Sequence, residues 1–385
     1  MAALEPPHLF RSFWMGGYEC STHKSHLGRL DMIAGTQHDV QAESDYSLLH
    51  TANMRTARDG LRWHLIERER GSYDWSSFEP MLQAALNTKT QVIWDVCHYG
   101  WPDWLDLFSP EFPDRLARFA QAAARVIQSH SADVPFFAPV NEISFFSWAA
   151  SRNLMFPYAA RRDQAIKRQL VRGALASIQA IREVDSRARF IFPEPTIHVV
   201  ARRGHPETEN KAVLYSNSQF EAWDMIAGFA QPGLGGKPEY LDILGSNFYA
   251  SNEWEVVGAR RIVWDQQPRD PRWRPLHSLL QDTWERYRRP LFLAETSHVG
   301  VGRPAWILDA GTEVYEARLA GIPVEGICLY PIIDRYDWGN PGHWHNSGLW
   351  DLERLQDGVL ARVLNQPYAI ALSKMQDLLA SIKCI

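Results

Sequence analysis

Residues 136–143 read FFAPVNEI. The run is too short for a helix and carries the aromatic and β-branched side chains of a buried strand, and it breaks off on two polar residues, Asn141 and Glu142. The same signature, an apolar run that turns polar at its carboxyl end, recurs along the chain. It places strands at residues 13–19, 60–66, 91–97, 136–140, 189–193, 241–248, 290–294 and 324–330. Segments with apolar residues three and four apart lie between them. Leu116, Phe119, Ala123, Val126 and Ile127 mark one helix face, residues 158–184 carry another helix, and residues 368–382 read as the eighth. Alternation of this kind predicts a parallel sheet, and eight units without a break favour one closed (β/α)8 TIM barrel over two open sheets. Residues 1–385 are therefore read as one domain. The stretch QPGLGGKP at 231–238 sits between a helix and the next strand and reads as a loop, not as an interdomain linker.

Composition narrows the function classes. At 385 residues, with 45% apolar and 22% charged residues, the chain can bury a large core, so disorder is not expected. A net charge of -5 without a dense Lys/Arg run offers no field for nucleic acid or acidic lipid. The start, MAALEPPHLFRSFW, lacks the basic and apolar regions of a signal peptide, and no apolar stretch is long enough for a bilayer. The four cysteines, Cys20, Cys97, Cys328 and Cys384, are scattered without a CxxC and read as reduced thiols of a cytoplasmic protein. Sixteen Trp, seventeen Phe and thirteen Tyr exceed what packing alone requires, and flat rings that stack on sugars are one use for them.

A barrel puts its active residues at the carboxyl ends of its strands. Those ends carry Glu19, Arg62, His98, Asn141 with Glu142, Glu194 with His198, Asn247 with Tyr249, Glu295, and Asp334 with Asp337 and Trp338. A polar group from every strand on one face predicts a deep polar pocket. Two carboxylates from strands four and seven, at a separation of about 5 Å, suit a nucleophile and an acid/base at one glycosidic bond. Glu142 would then have to be protonated at rest and Glu295 ionised.

These residues give the chain a resemblance to glycoside hydrolase family 1 and, more widely, to the clan A barrels. PVNE (139–142) resembles the family's acid/base motif and LAET (293–296) its nucleophile motif, while LYPIIDRYDW (329–338) followed by SGLWD is similar to its tryptophan-rich eighth-strand segment. GLRWHLIE (60–67), DVCHYGWPDWL (95–105) and GSNFY (245–249) resemble its second, third and sixth strand motifs. The resemblance implies a retaining exo-β-glycosidase of the β-glucosidase or β-galactosidase kind, acting on a small carbohydrate or glycoside without metal or cofactor. It implies Glu142 as acid/base, Glu295 as nucleophile, and Arg62 with Tyr249 supporting the charge of Glu295. Asn141 would bond the sugar 2-hydroxyl, Asn247 would line the substrate site, and His98, Asp337 and Trp338 would bind and stack the ring.

The pattern also departs from the family. Glu19 stands where a Gln usually meets two hydroxyls of the terminal sugar, and a carboxylate there only accepts hydrogen bonds. Asp337 replaces a Glu, Ile143 a Pro, and Thr296-Ser297 an Asn-Gly, and the chain is short, so loops beyond the first sugar are expected to be reduced. Two rivals are open at this point. One is a metal-dependent barrel enzyme using His98, Glu142, His198 and Glu295; the other is a barrel that binds sugar without turnover. The HWH at 343–345 lacks a third ligand for a metal, and GxSxG and phosphate-loop patterns are absent.

Overall fold

The computed structural model describes residues 7–381. Eight parallel strands close into a barrel: β1 Trp14–Gly17, β2 Thr56–Gly60, β3 Gln91–Asp95, β4 Phe136–Ala138, β5 Arg189–Pro195, β6 Ile243–Asn247, β7 Leu291–Thr296 and β8 Val324–Leu329, each bonded to its sequence neighbours and β8 to β1. Helices follow the strands, among them α1 His38–Thr51, α2 Glu79–Thr88, α3 Phe112–His130, α4 Asp163–Val184, α5 Glu221–Ile226, α6 Leu276–Tyr287, α7 Arg303–Leu319 and α8 Gln366–Ala380. The helix expected over 368–382 is α8, and residue 382 and Cys384 lie outside the described residues.

One strand is misplaced by the sequence reading. The second strand is Thr56–Gly60, and residues 60–66, read as that strand, leave the barrel and make a helical turn at Trp63–Ile66. The reason is compositional: GLRWHLI is more apolar than TARDG, yet TARDG is buried at every position. It tolerates two adjacent charges because successive side chains face opposite ways. Arg58 enters the barrel and Asp59 turns out toward α1.

That alternation organises the interior. Met15, Ile93, Phe136, Ile191, Ile243, Phe292, Ala294 and Cys328 form an inner cluster closed from below by Leu9 and Phe10. The ring of Phe10 lies 5.5 Å from that of Phe136 and 5.1 Å from that of Phe292. The opposite faces of the strands pack on the helices in a larger cluster. α3 follows from its sequence: Phe112, Leu116, Phe119, Ala120, Ala123 and Ile127 recur on one face, Pro113 opens the first turn, and the chain becomes extended at Ser131. α3 packs on α4, where Gly173 admits Leu116 so closely that a methyl group at residue 173 would lie 2.9 Å from it.

Outside β2 lies a buried charged cluster. His38 sits between Asp45 at 2.8 Å and Asp59 at 2.8 Å, Tyr46 donates to Asp59 at 2.6 Å, and Arg362 grips Asp45 with two bonds of 2.7 Å. Burial alone would lower the imidazole's pKa, but Asp59 and Asp45 together outweigh it and hold His38 at about 9. The cluster fastens the hairpin Trp350–Arg354/Leu360–Leu364 to α1 and β2. Removing one member of a buried charge set leaves the others unpaired. We expect Asp45→Ala to lower unfolding free energy by about 3–5 kcal/mol in urea titrations, and a loss below about 1 kcal/mol would show that the cluster is relieved by solvent.

Candidate active site

Above the apolar plug the inward-facing positions become polar. Glu19 follows β1, and Arg58, Asp95 and Asn247 continue the inner faces of β2, β3 and β6. Strand β7 needs a further device. Phe292 and Ala294 face inward, so simple alternation would send Glu295 outward. The register against β6 shifts between Leu293 and Glu295, and this bulge inverts the facing: Glu295 enters the pocket, while Thr296 turns out and accepts from Trp306 on α7 at 2.8 Å.

Arg58 is fully buried and is the centre of the site. Its Nη1 donates to Glu295 Oε1 at 2.6 Å, Nε and Nη2 donate to the two oxygens of Asp95 at 3.0 and 2.7 Å, and Nη2 also reaches Asn141 Oδ1 at 2.5 Å. Glu295 Oε2 accepts from Tyr249 at 2.8 Å. Burial would push the Asp95 carboxyl up, but Arg58 and His98 outweigh it and hold it below the ordinary range. His98 meets Asp95 through Nδ1 at 2.8 Å and Asn141 Nδ2 through Nε2 at 3.0 Å, so Nδ1 faces an acceptor and Nε2 a donor.

Glu142 lives in the opposite environment. Among the described residues no cation pairs with it; Asn247 Nδ2 donates to Oε1 at 2.9 Å, and the Tyr99 hydroxyl donates to Oε2. Burial first, and the charge of Glu295 second, push its pKa up to about 8. Its backbone is pinned: Asn141 N donates to Cys97 O at 3.0 Å, Glu142 N donates to Pro193 O at 3.0 Å, and Glu142 itself is left-handed at φ 39° as the helix Ile143–Ser151 begins. Glu194 caps that helix, accepting from Ser144 N at 3.0 Å, and burial raises it to about 7.

A further group of side chains adjoins these, since the rings of His23 and Trp338 lie 6.5 and 6.1 Å from that of Tyr99. Glu19 accepts from Ser21 N at 3.1 Å and pairs with Arg335 Nε at 3.3 Å. The Arg335 guanidinium lies 5.3 Å from the Trp338 ring centre, and His23 packs on that ring at 4.6 Å. His23 is buried, its Nδ1 and Trp338 Nε1 have no hydrogen-bond partner among the described residues, and burial keeps it neutral at about 4. Asp337 lies on the adjoining loop, where Oδ1 accepts from Gly339 N at 2.7 Å and Asn340 N at 3.1 Å and so closes a turn.

The structure thus brings together Glu19, His98, Asn141, Glu142, Asn247, Tyr249, Glu295 and Trp338, with Asp337 beside them. Arg62 is the correction. It pairs with Asp39 at 2.8 Å and Asp31 at 3.4 Å and donates to Ser77 O, because it lies past the end of β2; Arg58 takes the place beside Glu295 expected for it. His198 is also elsewhere, bonded to Arg272 O in a small outer sheet. Sequence reasoning missed Arg58, Asp95, Tyr99 and His23. The signal for Arg58 was an arginine two residues before a glycine in a run of strand length. Among the described residues, Cys20, Asp95 and His98 offer possible metal ligands within 4.8 Å of one another, but Arg58 already takes both oxygens of Asp95 and a cation there would have to displace it.

No family model matches the chain. A chloroplastic galactolipid galactosyltransferase from Arabidopsis thaliana is 28% identical over 139 residues, 34% of this chain, and the chain spans 22% of the length of that relative. Solved structures match far more of it. A family 1 β-glucosidase from Thermotoga maritima aligns with a TM-score of 0.72 at 11% identity, covering 89% of this chain and 87% of its own. The β-glycosidase of the hyperthermophile Thermosphaera aggregans gives 0.73 at 15% identity, covering 96% and 98% respectively. At such identities the likeness is one of fold: the chain has the (β/α)8 fold of the family 1 β-glucosidases.

The raised Glu194 makes a stability prediction with a defined sign. Its ordinary value is 4.5 and its folded value about 7, so between these the unfolded chain releases a proton that the folded protein keeps, and stability falls as pH rises. Glu194→Gln keeps an acceptor for Ser144 N and removes that titration. The melting temperature of the variant relative to the parent should therefore increase steadily from about pH 5 to about pH 7. A difference constant across that window, or one that shrinks, contradicts the assignment.

Proposed function

We propose that the chain is a retaining, exo-acting β-glycosidase that hydrolyses small β-glycosides by double displacement, with Glu142 as general acid/base and Glu295 as nucleophile. The observation that carries this reading is the contrast between the two carboxyl groups: Glu295 is ion-paired with Arg58, whereas Glu142 has only neutral donors and is pushed up to about 8. Environments that separate two neighbouring carboxyls in this way assign an acid and a nucleophile. In the first step Glu295 attacks the anomeric carbon while Glu142 gives its proton to the departing oxygen, and the glycosidic bond breaks. In the second, Glu142 takes a proton from water, the water oxygen attacks the same carbon, and Glu295 leaves with its electron pair.

Glu19, His23, Arg335 and Trp338 supply the donors, acceptors and ring face for one terminal sugar. A barrel that only bound sugar would need no acid poised beside an ion-paired carboxylate. The metal-dependent alternative loses His198 to the outer sheet and would have to take Glu295 from its ion pair with Arg58. No helix among the described residues is long and apolar enough to cross a membrane. The buried free thiols Cys20, Cys97 and Cys328 are in keeping with a reducing cytoplasm.

Azide tests the roles by stereochemistry. In Glu142→Ala, azide should enter on the leaving-group side, attack the glycosyl-enzyme and yield the β-glycosyl azide from a dinitrophenyl glycoside. In Glu295→Ala it should attack the substrate from the opposite face and yield the α-azide. Turnover in both variants without azide should fall by about a thousandfold or more. Interchanged products would reverse the two roles, and parental turnover in either variant would remove the mechanism.

A further inference from the structure

Tyr99 and Glu142 share an unusual property. Both are non-glycine residues in the left-handed region, at φ 65° and φ 39°, and each stands where a strand gives way to the pocket. Such conformations are unfavourable and persist where the surroundings impose them. Here the surroundings are specific. Gly100 follows Tyr99 because the backbone of Thr22 packs against it; a Cβ there would meet Thr22 O at 2.6 Å. The Tyr99 ring stacks on Phe146 at 5.7 Å and meets His98 edge-on at 4.6 Å. So held, the phenol oxygen has one partner on each side: it donates to Glu142 Oε2 and accepts from Asn141 Nδ2 at 3.0 Å.

The bonds continue. Asn141 Oδ1 accepts from Arg58 at 2.5 Å, and Arg58 donates to Glu295 at 2.6 Å. Both amide hydrogens of Asn141 are engaged, by Tyr99 and by His98 Nε2 at 3.0 Å, so the orientation of the amide, and with it the direction of the phenol, is fixed from the Arg58 side. We propose that Tyr99 is a positioning residue for the reaction assigned above: its hydroxyl holds Glu142 Oε2 and, through Asn141 and Arg58, ties the proton-carrying carboxyl to the state of Glu295.

A hydroxyl that donates to a carboxylate favours its ionised form. Tyr99 therefore opposes burial and the charges of Glu295 and Glu194, the groups that face Glu142 from β7 and β5 and raise it, while Asn247 from β6 acts in the same sense as Tyr99. The phenol is a donor and not a second acid, because burial and the neighbouring carboxylates keep it well above the range of an ordinary tyrosine. Glu142 has to be an acid in the first step and a base in the second. Once Glu295 is esterified its charge no longer raises Glu142, and the Tyr99 hydroxyl is left to hold the carboxylate toward the incoming water.

The proposal rests on Glu142 being the acid/base, and its test separates the two claims. With a substrate whose leaving group needs protonation, the alkaline limb of kcat/KM should report the ionisation of Glu142. Tyr99→Phe keeps the ring and removes the donor, so that limb should move to higher pH by about one unit or more. Replacing Tyr99 with 3-fluorotyrosine, a stronger donor of nearly the same shape, should move it the other way. A role confined to packing would lower melting temperature or activity without opposite shifts in the two proteins. A limb that stays in place or moves downward in Tyr99→Phe overturns the proposal, as does an unmoved limb in the fluorotyrosine protein, which decides the matter if the Phe variant does not fold. Failure of Glu142→Ala to lose activity on the same substrate would instead sink the acid/base assignment.

Discussion

Everything in the pocket depends on a guanidinium that water does not reach. Arg58 sits at the top of the barrel's apolar filling, and a charge there is tolerable only if it is paired and its donors are used. Asp95 supplies both oxygens, Glu295 supplies one, and the Asn141 carbonyl takes part of the remainder. Three strands and the loop after a fourth are thereby fixed relative to one another. The same bonds set the environments of the two carboxyls apart. Since Arg58 satisfies Glu295 and does not touch Glu142, the latter meets low dielectric and a neighbouring negative charge, and both favour its protonated form.

The backbone places these groups by two departures from regular structure. In β7 the register shift before Glu295 turns a position that would face the helices into one that faces the pocket, while Thr296 settles against Trp306. After β4 the chain bonds to the barrel again at Asn141 and Glu142 and takes a left-handed step at Glu142, which delivers the carboxyl over the barrel mouth. A bulge and a strained residue at the two carboxyls are where local rules are expected to yield to function.

Much of this was legible in the sequence, for physical reasons that can be named. The barrel was legible because buried parallel strands are apolar on both faces, as FFA at β4 and LFLA at the start of β7 illustrate. The carboxyls Glu142 and Glu295 were legible because they interrupt such runs. Strand β2 was not, because a buried Arg and a buried Asp on opposite faces mimic a solvated segment, and the apolar run just beyond them drew the reading to residues 60–66 and from there to Arg62. Tyr99 and His23 were hidden for another reason. An aromatic beside a strand end is commonly packing, and only its contacts distinguish a ring that donates to a carboxyl from one that fills space. The pairing of Glu19 with Arg335 was out of reach as well, since the two lie at opposite ends of the sequence.

The proposed role of Glu295, ion-paired with Arg58, is to form the covalent intermediate. Its most direct test is trapping: incubation with a panel of 2-deoxy-2-fluoro β-glycosides bearing dinitrophenyl leaving groups, followed by peptide mass mapping. Time-dependent inactivation by at least one configuration is expected, with a single fluoroglycosyl adduct on Glu295 that is lost from the Glu295→Gln protein. An adduct on Glu142 or Glu194 would contradict it, as would inactivation by none of the panel in a protein that hydrolyses the parent sugars.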